Sequence, residues 1–131
     1  MTQLTDLLKL VPLLEILKSE SDDTSTKKTG VFGSEFLGKS VIIRTYSAGV
    51  WFGILDQKEK NEVILKNARR MWYWKAKKSI SLSAVAIHGI DQENSKIVEA
   101  VDSIWLEAIE IIPTTEIAGA SIMEAKNVKA E

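Results

Sequence analysis

Hydrophobic residues in the first 18 positions, MTQLTDLLKLVPLLEILK, recur at three- and four-residue steps: Leu4, Leu7, Leu8, Val11, Leu14 and Leu17. That spacing predicts an apolar helical stripe, kinked or restarted at Pro12. SESDDTSTKKTG follows as a polar linker, and a leucine-rich helix tethered by such a linker is expected to pack on another subunit. From Val31 the period changes to two. SVIIRTY alternates Val41, Ile43 and Thr45 against Ile42, Arg44 and Tyr46, SAG turns the chain, and VWFGIL returns with Val50, Phe52 and Ile54 opposed to Trp51 and Leu55. QKEKN is a second turn, and EVILKNARRMWYWK a third strand, so residues 40–75 predict an antiparallel meander.

Ser81 can cap a short helix over SLSAVAIH, which Gly89 would close as a left-handed residue. DQENS reads as a loop, IVEAV as a short strand, and IWLEAIEII as a longer one ended by Pro113. TTEIAGASIMEAKN predicts a C-terminal helix capped by Thr114 or Thr115, with Glu116 in its first turn. The expected fold is mainly β (α+β): a small antiparallel Greek-key or barrel-like domain with a short helix, N-terminal oligomerising helices and a C-terminal helix. The expected organisation is a helical arm over 1–19, a linker over 20–30 and a β-rich ligand-binding domain over 31–131.

Length and composition narrow the function classes. A chain of 131 residues suits one domain, and no apolar run is long enough for a membrane span. With no cysteine, disulfides, thiol nucleophiles and Cys-ligated zinc are excluded. The N-terminus lacks the features of a secretory signal, so a cytoplasmic protein is expected. His88 is the single histidine and predicts a core or capping role, with no metal site and no cofactor. No familiar nucleotide-binding or hydrolase motif is present, so a binding protein is expected ahead of an enzyme.

Net charge is −1, but it is unevenly spread. Residues 57–78 hold eight basic and two acidic side chains, a local +6, whereas residues 91–131 hold three basic and nine acidic, a local −6. Within the basic segment, NARRMWYWK joins two arginines to a Trp-Tyr-Trp run. In an extended strand Arg69, Met71 and Tyr73 point one way, and Arg70, Trp72 and Trp74 the other. One face must be core. On the other, guanidinium groups suit a phosphate and aromatic rings suit a nucleobase. Arg44 and Tyr46 add a further cation and ring, and Asn67 a donor and acceptor for a base edge or ribose hydroxyl. The bland alternative is that the aromatics are core and the arginine stems pack over them. The candidate ligand-binding residues are therefore Arg44, Tyr46, Asn67, Arg69, Arg70, Trp72 and Trp74. Gly49 reads as a turn glycine, and Gly53 as a bulge or close-packing site.

RTYSAGVWFG, ILKNARRMWYWK and SLSAVAIHG, with a weaker match at EAIEIIP, resemble a family of phage Thoeris anti-defence proteins. The resemblance covers about half the chain, chiefly residues 37–89. It implies a decorated Greek-key fold and a non-enzymatic sponge that sequesters cyclic ADP-ribose isomers in the cytoplasm of the infected bacterial host. It also implies homo-oligomers, from dimer to hexamer, some of which hold cyclic oligonucleotides at separate inter-subunit sites. Two rival expectations stand beside it: a small β-barrel binding single-stranded nucleic acid, and a phage structural or assembly protein whose aromatics are subunit interface.

Overall fold

The computed structural model describes residues 32–130, so the predicted helical arm and linker lie outside the described residues. Strand β1 covers Ser40–Thr45, β2 Val50–Glu59 and β3 Glu62–Tyr73, which is the meander that the alternation predicts. The short strand predicted over IVEAV is smaller, with β4 limited to Lys96–Ile97, while β5 runs from Val101 to Pro113.

The sheet order is β2-β1-β5-β3-β4, all antiparallel, and an additional pairing of β2 with β3 closes the first four strands on themselves. The chain makes three consecutive strands and then returns, after a long excursion, to lay β5 beside β1. That connectivity is a Greek key, and here it becomes barrel-like because β5 serves two neighbours. Its first half pairs with β3, from Ala68 opposite Val101 to Glu62 opposite Glu107. Its second half pairs with β1, from Thr45 opposite Ala108 to Val41 opposite Pro113.

Alternation along these strands fills two apolar clusters. Val41, Ile43, Trp51, Leu55, Val63, Leu65 and Leu106 meet inside the barrel. Ile42, Phe52 and Met71 point outward and are covered by two helices, α1 over Leu82–His88 and α2 over Glu116–Met123, which bring Val85 and Ile122 onto them. Both faces of β1 are therefore buried, which explains why its apolar run is nearly continuous. The predicted caps are present. Ser81 Oγ accepts from Ala84 N at 3.3 Å and Thr115 Oγ1 from Ala118 N at 3.1 Å. Gly89 ends α1 with φ 92° and ψ −173°, so it has the positive φ expected of it but an extended ψ instead of the left-handed helical one. DQENS is a loop containing a single 3-10 turn, Gln92–Asn94. Among the described residues no helix is long and apolar enough to cross a membrane.

One irregularity sets the later geometry. Phe52 lies opposite Arg69 but Ile54 lies opposite Lys66, so the single residue Gly53 faces two, Asn67 and Ala68. This is a β-bulge, and Asn67 takes its left-handed conformation at φ 51°. A Cβ on Gly53 would meet Lys66 O at 3.0 Å and the Ala68 Cα at 3.2 Å, both backbone atoms that cannot swing aside. Gly53→Ala is accordingly expected to cost about 1–3 kcal/mol, read as a lowered urea midpoint with an unchanged slope.

Candidate functional site

The β1–β2 connection is stapled by one side chain. Thr45 Oγ1 donates to Gly49 O at 2.7 Å and accepts from Ala48 N at 2.8 Å, while Thr45 N donates to Gly49 O at 3.2 Å. Gly49 sits at φ 88°, as a turn glycine should. The turn so fixed leaves Tyr46 91% exposed. Just behind it Trp51 is buried in the barrel, with its indole Nε1 donating to Ala48 O at 3.0 Å.

Arg70 is the residue opposite Trp51, and its guanidinium carbon lies 4.5 Å from the centre of the Trp51 ring. A cation–aromatic contact of this kind holds the guanidinium without using its N–H donors. Among the described residues those donors have no acceptor. Two positions further along β3, just past the end of its pairing with β2, Trp72 is 68% exposed. Tyr46, Arg70 and Trp72 are thereby gathered at one end of the barrel, and all three are accessible in part or whole.

Arg44 belongs to the neighbouring row, which faces the helix side of the sheet and not the side of Trp51 and Arg70. It stands opposite Val50 on one side and Glu110 on the other, and its Nε donates to Glu110 Oε1 at 2.8 Å. Both side chains are about half exposed, so the pair is worth at most about 1 kcal/mol. It still bears on recognition, because any anion reaching Arg44 shares it with a carboxylate. Glu110 is a residue the strand pattern did not single out, and only the pairing of β5 with β1 brings it there.

Arg69 departs from expectation. It is 3% exposed and faces the helix layer, where every one of its donor nitrogens is engaged by the protein. Nε donates to Val98 O at 2.9 Å, Nη1 to Ile122 O, Met123 O and Ala125 O at 2.9, 3.0 and 2.7 Å, and Nη2 to Asn127 Oδ1 at 2.7 Å and Ile97 O at 3.5 Å. Three of these acceptors are carbonyls at the end of α2 and just beyond it, of which Ile122 O also accepts from Ala125 N at 3.3 Å, so the side chain completes a helix terminus and straps the C-terminal segment to β4. Burial lowers its pKa from the usual arginine value. A guanidinium occupied in this way has no edge left for a phosphate.

Trp74 departs as well. Alternation assigned it to the face of Arg70 and Trp72, but the register shifts between Met71 and Tyr73 where β4 joins, and Trp74 turns to pack half-buried against the cluster of Met71. Asn67 is exposed at the bulge, several residues down β3 from Arg70 and Trp72. Of the seven candidates, the fold groups Tyr46, Arg70 and Trp72, places Arg44 in an ion pair on the opposite face of the sheet from Arg70, and separates Asn67, Arg69 and Trp74 from them. Tyr73, half exposed on the strand between Trp72 and Trp74, is a further accessible ring that the sequence reading placed with Arg69.

A family model described as a domain of unknown function, DUF6948, matches residues 38–122, nearly two thirds of the chain. The chain belongs to the DUF6948 family. Comparison with curated proteins and with solved structures gave no match. The DUF6948 match runs from just before β1 to the last turn of α2, so it takes in all seven candidate residues and leaves out Ala125 and Asn127, two of the acceptors of Arg69.

Open clefts indent the surface of the described residues, and three of them are lined by none of the candidate residues. One of about 610 Å3 lies between Lys77, the Asp91–Glu93 loop and α2, one of about 520 Å3 lies beside Ser40, Phe52 and α2, and one of about 270 Å3 lies against Trp105. In the first, the Asp91 carboxyl is held below the usual range, chiefly by the Asn94 side-chain amide at 2.9 Å, so this acid stays ionised. The grouped residues present two exposed rings, Tyr46 and Trp72, on which a ligand could be gripped.

Proposed function

We propose that this DUF6948 domain binds and sequesters a phosphorylated, base-bearing small molecule without cleaving it, a cyclic ADP-ribose isomer being the ligand that the sequence resemblance implies. The observation that supports this most is the Arg70 guanidinium set on the buried Trp51 ring, with Tyr46 exposed on the stapled turn and Trp72 exposed two residues along β3. Arg70 would bind a phosphate oxygen pair, and Tyr46 or Trp72 would stack on the base, whereas Arg44, on the other face of β1 and paired with Glu110, is left out of the site. Because Trp51 and Thr45 are fixed in the free domain, little ordering opposes binding. Sequestration then needs only mass action and slow release, with no bond made or broken.

Titration calorimetry of the full chain with cyclic ADP-ribose isomers, and with ADP-ribose as the linear comparison, tests the reading. Heat release with intact ligand recovered after thermal denaturation of the protein is expected. No heat with any of them would overturn it, and a chemically altered ligand would make the protein an enzyme. Binding to oligonucleotides instead, weakening steeply with salt, would favour a single-stranded nucleic-acid surface built from Trp72, Tyr73 and the exposed Lys75, Lys77 and Lys78.

A further inference from the structure

We propose that the Trp105 face of one copy of the chain seats the Lys77–Ile80 loop of a second copy, head to tail. Both surfaces are offered at opposite ends of β3 and neither has a partner among the described residues. At the hairpin end, the register sets Glu59 opposite Glu62 and Glu62 opposite Glu107, a row of three carboxylates across three strands. Like charges directly opposite one another are unfavourable in a sheet. Among the described residues no cation offsets this row: the carboxylates make no ion pair there, and the adjacent Lys58 folds back so that its Nζ donates to Lys60 O at 2.6 Å. Beside the row stands Trp105, 53% exposed, opposite Ile64 and on the same face as Glu107 and the half-exposed Ile109. Its indole Nε1 donates to Glu62 Oε1 at 3.0 Å, which fixes the ring as one wall of the 270 Å3 cleft.

The other end of β3 carries the complementary set. Buried Ala76 is pinned by a bridge to Ile90, and Lys77 N donates to Gly89 O at 2.9 Å. Beyond that anchor the chain turns out sharply, with Ser79 at φ 62° and Ser81 at φ 91°, and presents exposed Lys77 and Lys78 beside Ile80, which is 82% exposed. An apolar knob flanked by two ammonium groups fits an aromatic wall flanked by three carboxylates. Because β3 is 12 residues long, about 40 Å along its path, the two ends of one domain do not meet, and the contact joins different copies. Such a contact is heterologous, so it builds rings or chains and not a closed two-fold dimer. It draws on none of the residues assigned to the ligand surface.

Zero-length carbodiimide cross-linking of the full chain, mixing isotope-labelled with unlabelled protein, reads the contact directly. Inter-chain links from Lys77 or Lys78 to Glu59, Glu62 or Glu107 are expected. They should be lost in Glu62→Lys/Glu107→Lys and in Lys77→Glu/Lys78→Glu, and light scattering should show the assembly reduced in step. Mixing the two reversed variants should restore inter-chain links between the exchanged charges. Absence of these links in the unmodified protein would overturn the proposal, whether the chain is then monomeric, assembled through other surfaces, or cross-linked elsewhere. The unmodified protein decides the matter even if a reversed variant folds poorly.

Discussion

Arg69→Met is expected to lower the stability of the domain by about 3–5 kcal/mol, as loss of a buried, fully bonded cation does. Methionine fills much of the same volume, so the loss comes from the acceptors left behind. Ile122 O, Met123 O, Ala125 O, Val98 O and Asn127 Oδ1 each lie within 3.0 Å of a guanidinium nitrogen, and Arg69 itself is 3% exposed. Unmade hydrogen bonds in such a place cost more than made ones contribute. Arg69→Lys should recover only a part, because one ammonium cannot present the fork that reaches both α2 and the segment at Ile97 and Asn127. Urea unfolding followed by tryptophan fluorescence measures both variants. A change below about 1 kcal/mol for Arg69→Met would mean that the C-terminal strap contributes little to the folded domain.

The second large effect concerns binding. Arg70→Ala is expected to weaken binding of the cyclic ADP-ribose isomer that the unmodified chain holds best by about 10- to 100-fold, the range for losing charge-assisted hydrogen bonds to a phosphate. Its stability should change little, since Arg70 touches the core only through the outer face of Trp51. The two neighbouring arginines therefore make opposite predictions, one lowering the urea midpoint and the other the affinity. A variant changing both at once would confuse the two. If Arg70→Ala binds as well as the unmodified chain, the ligand surface lies elsewhere on the domain.

Much of this architecture is legible in the chain. Alternating apolar positions and two polar turns mark β1 to β3 because successive residues of these strands turn to opposite faces, one of them always the barrel interior, and Ser81, Thr115 and Pro113 mark element ends by local hydrogen bonding or the lack of an N–H. What is not legible depends on partners distant in sequence. Period two puts Arg69 with Met71 and Arg70 opposite, as observed, but which arginine is buried is decided by carbonyls more than 50 residues away. The reversal of Trp74 comes from the register shift against β4, a strand of two residues that no periodicity can reveal. Glu110 and Trp105 read as ordinary members of an amphipathic strand until β5 is known to divide its pairing between β1 and β3.

That division has a consequence for how the protein is made. Synthesis delivers β1, β2 and β3 first, and until residues 101–113 emerge from the ribosome both outer strands of the meander carry unpaired edges. Val63, Leu65, Val41 and Ile43 then lack the wall that β5 provides. Open edges lined with such residues invite pairing with any other nascent chain. The last long strand thus acts as a latch, and the interval before it arrives is when this protein is most exposed to aggregation. Truncation within β5 should consequently be far more damaging in the cell than a lesion of equal length in the β2–β3 hairpin.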